Sequence, residues 1–102
     1  MDQTTALRYA SEYASIVTEL YQPERIVLYG SYANGFPRED SDIDVAVVFD
    51  GFKGDWWKTS SELWGLTRRV STYIEPVLLD QSKGIGGFLG EVMRTGQTIY
   101  QR

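Results

Sequence analysis

The sequence predicts a small α/β (α+β) domain in which helices pack on one face of a short mixed sheet. Three observations predict this class: an amphipathic helical pattern near the N-terminus, two short β-branched apolar runs after it, and alternating helical and extended patterns in the second half. A chain of 102 residues is long enough for one modest core and too short for two. We therefore expect a single domain spanning residues 1–102.

The first predicted element is an amphipathic helix over residues 2–21, which stops before Pro23. Its apolar residues recur at spacings of three and four and therefore share one helix face: Leu7, Ala10, Tyr13, Ala14, Val17, Leu20 and Tyr21.

Two buried strands are predicted next. The run Arg25–Tyr29 is short, apolar and β-branched, and it ends at Gly30. Residues 30–35 are predicted as a turn region with room for a short helix, and residues 36–41 as a loop. The run Ile43–Phe49 is apolar on both faces after Asp44, which is typical of a central strand.

The second half of the chain predicts a helix, a strand, a short helix and an extended end. After a loop at residues 50–54, the helix extends to about Thr72, and either Asp55 caps it or Thr59 and Glu62 form a capping box. Residues 73–79 form the strand, which Pro76 places at an edge or at a bulge.

The short helix of this half contains Phe88, Leu89, Val92 and Met93 and ends at Gly96, before extended residues 97–100. In the longer helix, the spacing of Trp56, Trp57 and Trp64 predicts that they lie mostly in the core. Because adjacent residues of a helix cannot face the same way, we expect one of these Trp side chains to be exposed and available to a partner.

Composition excludes several classes of chemistry. The chain has no Cys and no His, so a disulfide framework, a thiolate metal site, a Cys nucleophile and a His general base are excluded. A net charge of −4 argues against a surface that grips DNA or RNA. Neither a signal-peptide pattern nor an apolar run of about 20 residues is present, so we expect a soluble, cytoplasmic protein without membrane contact.

The stretch from Leu28 to Asp50 carries the predicted chemistry. Gly30 and Ser31 follow a strand and enter a turn, where backbone can approach a phosphate closely. Asp42 and Asp44 are two apart at the start of a strand, so their carboxylates share one face.

The acidic side chains of this stretch predict a metal site. Glu39 and Asp40 lie just upstream of Asp42 and Asp44, which gives four acids within six residues. Crowded carboxylates repel each other unless a cation lies between them. Mg²⁺, held by one or two carboxylates and by substrate phosphates, fits this set best, and two such ions serve an in-line displacement at phosphorus.

The spacing of these residues resembles a known family. Gly30-Ser31, a gap of ten residues and Asp42-Ile43-Asp44 match the Gly-Ser, Asp-x-Asp signature of the DNA polymerase β-like nucleotidyltransferase superfamily. The surrounding Tyr29-Gly30-Ser31-Tyr32-Ala33 and Ser41-Asp42-Ile43-Asp44-Val45 are similar to its small members, the minimal nucleotidyltransferase (MNT) domains. The resemblance implies the polymerase β-like nucleotidyltransferase core as the fold.

The resemblance also implies residue roles. Gly30 and Ser31 hold the nucleoside triphosphate, Asp42 and Asp44 hold Mg²⁺, and a third carboxylate comes from a neighbouring strand. Glu75 is the natural candidate for this third ligand and for activating the acceptor hydroxyl. It departs from the family pattern, where Asp is frequent, and the adjacent Pro76 is unexpected in a strand.

Simpler interpretations exist for most of these residues. Asp42 and Asp44 are also compatible with solvated acids at a strand edge, and Glu75 with an ordinary exposed edge-strand acid. Ser31 is compatible with a helix cap as well as a phosphate contact. Arg38 either reaches the triphosphate or forms a local ion pair, of which the second is more common.

One further segment, Lys83-Gly84-Ile85-Gly86-Gly87, superficially resembles a phosphate loop. It lacks the strand-loop-helix context and the Gly-Lys-Ser/Thr ending, so a flexible loop is the better interpretation.

The resemblance to MNT antitoxins of HEPN/MNT toxin–antitoxin pairs implies the function. Such a protein transfers AMP from ATP to a tyrosine of its partner, a small helical HEPN toxin. One alternative is a non-catalytic antitoxin that binds nucleotide and acts by complex formation. Another is nucleotidyl transfer to a small molecule such as an aminoglycoside, for which a homo-oligomer or a partner must complete the acceptor pocket.

Overall fold

The structure, a computed structural model, describes residues 1–35 and 41–102. Two 3₁₀ turns, Thr67–Arg69 and Gln81–Lys83, accompany the following helices and strands: α1 (Gln3–Leu20), β1 (Arg25–Tyr29), α2 (Ser31–Asn34), β2 (Ile43–Phe49), α3 (Trp56–Leu66), β3 (Ile74–Asp80), α4 (Gly87–Thr95) and β4 (Gln97–Gln101). In this part of the chain, no helix combines the length and the apolar character needed to cross a membrane.

The four strands form one mixed sheet in the order β3-β2-β1-β4. Strand β1 pairs antiparallel with both β2 and β4, whereas β2 and β3 are parallel. Strand β2 is central, as its apolar run predicts, and β3 is an edge strand. Pro76 is buried opposite Val45 in an unbroken register, so of the two predicted explanations for this proline the edge position is correct.

Helix α1 confirms the N-terminal prediction. Its N-cap is Asp2, whose side chain accepts a hydrogen bond from the Thr5 backbone N–H at 2.7 Å. The Tyr13 hydroxyl, buried beneath the helix, donates to the Leu63 carbonyl of α3 at 2.7 Å. The predicted stripe is wrong at its end, because Leu20 lies in the last turn and is exposed.

Helix α3 begins where Asp55 accepts from the Lys58 backbone N–H at 3.0 Å, so the cap is Asp55 and not the alternative capping box. The helix is shorter than predicted. It ends at Leu66 and tightens into a 3₁₀ turn, in which the Thr67 hydroxyl donates to the Trp64 carbonyl at 2.7 Å.

The tryptophans of α3 divide into two faces. Trp56 packs against the core on the same side as the buried Leu63. Trp57 is 81% exposed, which confirms the expectation that one of the adjacent tryptophans is exposed. Trp64 is 48% exposed, so the expectation that the tryptophans lie mostly in the core is wrong for Trp64. Two apolar stripes run along this helix, and within each stripe the residues are seven positions apart. Only one of the stripes faces the sheet.

Both faces of the sheet are covered. One face packs against α1, α2 and α3 through the larger cluster, which includes Tyr13, Ile26, Leu28, Tyr32, Ile43, Val45, Val47, Leu63 and Ile74. The alternate residues of the strands pack on the other face with α4, in a smaller cluster of Val27, Ala46, Val48, Leu89 and Val92. The mixed sheet and the α+β class are as predicted, but α4 occupies the face opposite the other helices.

Candidate active site

Three acidic residues meet at one end of the sheet. Asp44 lies near the start of β2, opposite Tyr29 of β1 on one side and Glu75 of β3 on the other. Residues that face each other on neighbouring strands point to the same side of the sheet. The side chains of Tyr29, Asp44 and Glu75 therefore share the face that α4 covers. Asp42, just before β2, interacts electrostatically with both Asp44 and Glu75. The structure therefore brings together Asp42, Asp44 and Glu75, the three acidic residues predicted as metal ligands.

Crowding changes the protonation of these carboxyl groups. Burial, then the negative charges of Glu75 and Asp42, raises the pKa of Asp44 to about 6 from its ordinary value of 3.8. Desolvation, the charge of Asp42 and a side-chain hydrogen bond with Asp42 raise the pKa of Glu75. The cluster is thus short of positive charge.

The donor set fits a divalent cation that the substrate helps to bind. Within residues 1–35 and 41–102, no group of three or more acidic, His or Cys side chains stands in position to hold a metal ion, so a cation here would depend on ligands from the substrate. Mg²⁺ in phosphoryl-transfer sites is held by one or two carboxylates, with phosphate oxygens and water completing the shell. Carboxylate oxygens that repel one another at the end of the sheet suit that arrangement. Glu39, Asp40 and Arg38 lie outside the described residues.

Gly30 joins β1 to α2 against the acidic cluster. Its φ of 77° and ψ of −151° belong to a region that essentially only glycine adopts. A Cβ added at Gly30 would also collide with the Asp44 carboxylate oxygen Oδ2. The absence of a side chain therefore lets the turn into α2 lie directly on Asp44, and leaves backbone accessible beside it.

Ser31 is the first residue of α2, and Gly30 is its N-cap, with no side-chain hydrogen bond capping the helix. The interpretation of Ser31 as the cap is therefore wrong. Its position next to Gly30 and Asp44 is compatible with the phosphate contact predicted from the sequence.

Two aromatic residues beside the cluster were not predicted as part of the site. Burial and the charges of Asp44 and Glu75 raise the pKa of Tyr29 to about 12. The Tyr29 ring meets Phe88 of α4 edge to face, with ring centroids 5.6 Å apart and an interplanar angle of 81°. Strand alternation from Val27 places Tyr29 on this face, but the sequence holds no signal for Phe88, because its position depends on which side of the sheet α4 packs.

A concave region lies at the other end of the sheet, away from the acidic cluster. Its cavity, of about 560 Å³, is lined by Phe52, Lys53, Trp56, Asp80 and Lys83 among others. The Asp80 carboxylate there accepts hydrogen bonds from the backbone N–H groups of Gly51, Phe52 and Ser82 at 2.9–3.0 Å. These bonds fasten two loops, so Asp80 is structural and the acidic cluster is the better candidate for catalysis.

Comparison with known proteins adds three findings. The family model described as a nucleotidyltransferase domain matches residues 10–88, a range that includes Gly30, Ser31, Asp42, Asp44 and Glu75. A protein of Methanocaldococcus jannaschii, which bears the provisional name protein adenylyltransferase, is 44% identical over 39 residues, covering 38% of this chain. The matched segment is 39% of that relative's own length.

The third finding concerns the fold. A crystal structure from Sulfolobus solfataricus, provisionally described as a nucleotidyltransferase, superposes with a TM-score of 0.70. The superposition covers 98% of this chain and 84% of the other, at 24% sequence identity. This likeness shows that the two chains share one fold.

Proposed function

The chain belongs to the nucleotidyltransferase domain family, and on that premise we propose that it transfers a nucleoside monophosphate from a nucleoside triphosphate to an acceptor hydroxyl. The observation that carries the proposal is the cluster of Asp42, Asp44 and Glu75 at the sheet end, beside the Gly30 turn. These residue types suit phosphoryl chemistry, which depends on positioning and charge neutralisation and needs no His or Cys.

Each residue of the site has a role in this proposal. Gly30 and Ser31 bind the triphosphate. Asp42, Asp44 and Glu75 would hold two Mg²⁺ ions. When bound, the metal supplies charge neutralisation on the phosphates and on the attacking oxygen. Glu75, exposed on the edge strand, faces the acceptor and takes the proton of its hydroxyl. The bond from the acceptor oxygen to the α-phosphorus forms as the bond to pyrophosphate breaks.

We further propose ATP as the nucleotide and a protein tyrosine as the acceptor. The provisional name of the Methanocaldococcus jannaschii relative, protein adenylyltransferase, supports an adenylate transferred to a protein. The edge position of β3 supports it too, since a second protein can reach Glu75 from outside the sheet. The resemblance to MNT antitoxins supports a small helical HEPN toxin as the proposed acceptor.

A second candidate is a non-catalytic antitoxin that neutralises its partner by docking. The exposed Trp57 and Trp64 favour it, because large aromatic side chains on one helix face are common anchors of protein interfaces. The two functions differ in whether an adenylate is transferred.

In the deciding experiment, the protein is incubated with Mg²⁺, ATP and a purified small helical protein of the HEPN type, and the mass of this acceptor is measured by mass spectrometry. We expect the acceptor to gain one adenylate on a tyrosine. Asp42→Asn and Asp44→Asn abolish the gain, whereas Asp50→Asn, an exposed acid at the other end of β2, leaves it intact. A stable complex with no adenylate gain would favour the docking function and contradict the enzyme.

A further inference from the structure

Phe88 lies next to the acidic cluster on the face that α4 covers. Its ring contacts Tyr29, which pairs with Asp44 across the β1–β2 ladder. One aromatic ring therefore separates Phe88 from the central carboxylate of the site.

The packing of α4 places Phe88 at this end of the sheet. Leu89 and Val92 pack beneath the helix on the smaller core cluster. Near the other end of α4, Met93 Sδ lies 3.4 Å from Arg25 Nη1, at the start of β1. The contact between Phe88 and Tyr29 therefore places the first turn of α4 at the end of β1 that leads into Gly30.

The surroundings of Phe88 are open. The side chain is 53% exposed although its ring contacts Tyr29, so part of the ring surface remains accessible. The three glycines that precede it, Gly84, Gly86 and Gly87, have open space around them, since a Cβ added at any of them meets nothing within 4 Å. An exposed aromatic ring with a clear approach is suited to stacking with a flat ligand.

The order of the strands decides which part of the reaction Phe88 serves. Tyr29, Asp44 and Glu75 lie on three adjacent strands, β1, β2 and β3. With strands about 4.8 Å apart, the Tyr29 and Glu75 positions are about 10 Å apart. Phe88 is on the β1 side, next to the Gly30 turn that binds the triphosphate, and not on the β3 side, where Glu75 faces the acceptor.

We propose that Phe88 is the stacking platform for the nucleobase of the bound nucleoside triphosphate. The inference rests on the proposed function and adds the means by which the base is held. A phenyl ring has no hydrogen-bonding group, so it selects by stacking area. Purine nucleotides therefore gain more from Phe88 than pyrimidine nucleotides.

The test is calorimetric binding of ATP and of inorganic tripolyphosphate, each with Mg²⁺, to the wild type, Phe88→Ala and Phe88→Trp. Loss of one base–aromatic stack weakens binding about 5- to 150-fold. We expect Phe88→Ala to raise the Kd for ATP within this range and to leave the Kd for tripolyphosphate unchanged. We expect Phe88→Trp to bind ATP at least as tightly as the wild type, and UTP to lose less than ATP in Phe88→Ala.

The matched control is Trp57→Ala, which removes an exposed aromatic ring from α3 and leaves ATP binding unchanged. Equal ATP affinity of the wild type and Phe88→Ala would overturn the platform while leaving the proposed function in place. Equal weakening of ATP and tripolyphosphate would also overturn it, because the loss would then lie in the phosphate site. A wild type that binds neither ligand would contradict the proposed function and, with it, this inference.

Discussion

At the scale of the single residue, Asp44 lies where the demands of stability and of the proposed metal binding conflict. Its carboxylate is half-buried between two other acids, and its pKa of about 6 records the free-energy cost of charging it in the folded protein. A bound cation would offset that cost, so we expect the metal-free protein to be less stable than the metal-bound protein.

Asp44→Asn is therefore expected to stabilise the metal-free protein at neutral pH. Because the folded pKa is raised, the wild type gains stability from protonated Asp44 below about pH 4 and loses it as the pH rises through 6. After allowance for solvent screening of a half-exposed group, the loss is about 1 kcal/mol at pH 7. Urea denaturation from pH 4 to 7.5 without Mg²⁺ measures it. A variant less stable than the wild type at pH 7 would indicate that Asp44 has a structural role.

Gly30 is constrained twice, by its backbone angles and by the Asp44 carboxylate. Gly30→Ala is expected to destabilise the protein by at least about 2 kcal/mol, and also to weaken ATP binding because Asp44 must move. Gly35→Ala is the matched control: its φ is also positive, at 80°, but a Cβ there meets no atom within 4 Å. It should cost about 1 kcal/mol and leave ATP binding unchanged. Equal effects of the two variants in denaturation and calorimetry would argue against the contact with Asp44.

At the scale of the element, strand β3 is fastened at its far end by Asp80. Its three backbone hydrogen bonds hold the pKa of this carboxyl well below its usual range. The stabilisation is therefore present above about pH 4 and is lost as the pH falls further.

Asp80→Ala is expected to lower the free energy of unfolding by about 1–2 kcal/mol at pH 7 and to flatten the decline of stability in acid. Asp50→Ala, at a neighbouring exposed acid, should have little effect. Thermal and urea denaturation between pH 2.5 and 7 measure both. Because Asp80 lies far from the acidic cluster, an altered ATP affinity in Asp80→Ala would contradict the assignment of the two ends of the sheet.

The elements show what a sequence predicts and what it does not. The strands β1 and β2 follow from their β-branched runs, and the edge position of β3 from Pro76. Helical spacing predicts that one of the adjacent Trp56 and Trp57 is exposed, but not which one. The exposure of Trp64 does not follow, because α3 carries two apolar stripes and local pattern cannot tell which one faces the sheet. The placement of α4 on the second face has the same origin, since an amphipathic helix fits either side.

Only some residues of the candidate site can likewise be predicted from the sequence. Gly30, Ser31, Asp42 and Asp44 lie within one short segment, so their spacing was enough to name them. Glu75 is remote in sequence and was named only through the family resemblance, whereas its place beside Asp44 depends on the parallel register of β2 and β3. The position of Phe88, which we propose as the stacking residue, does not follow from the sequence because it depends on how α4 packs on the sheet.

At the scale of the whole molecule, an acidic protein presents its most crowded acids where it is proposed to bind a polyanion. The net charge of −4 and the repulsion at Asp44 both oppose binding of free ATP. Divalent cations reverse the sign of this end of the sheet, so nucleotide affinity should depend steeply on Mg²⁺. The two-sided core keeps the strands that carry the acids rigid while their ends remain accessible.

The most direct test of this account is calorimetric titration of ATP with and without Mg²⁺ into the wild type, Asp42→Asn, Asp44→Asn and the control Asp50→Asn, each with its fold checked by circular dichroism. The account predicts that the wild type and Asp50→Asn bind ATP only with Mg²⁺, and that both site variants stay folded and lose at least about tenfold in affinity. Binding of ATP that is independent of Mg²⁺ and equal in all four proteins would contradict it.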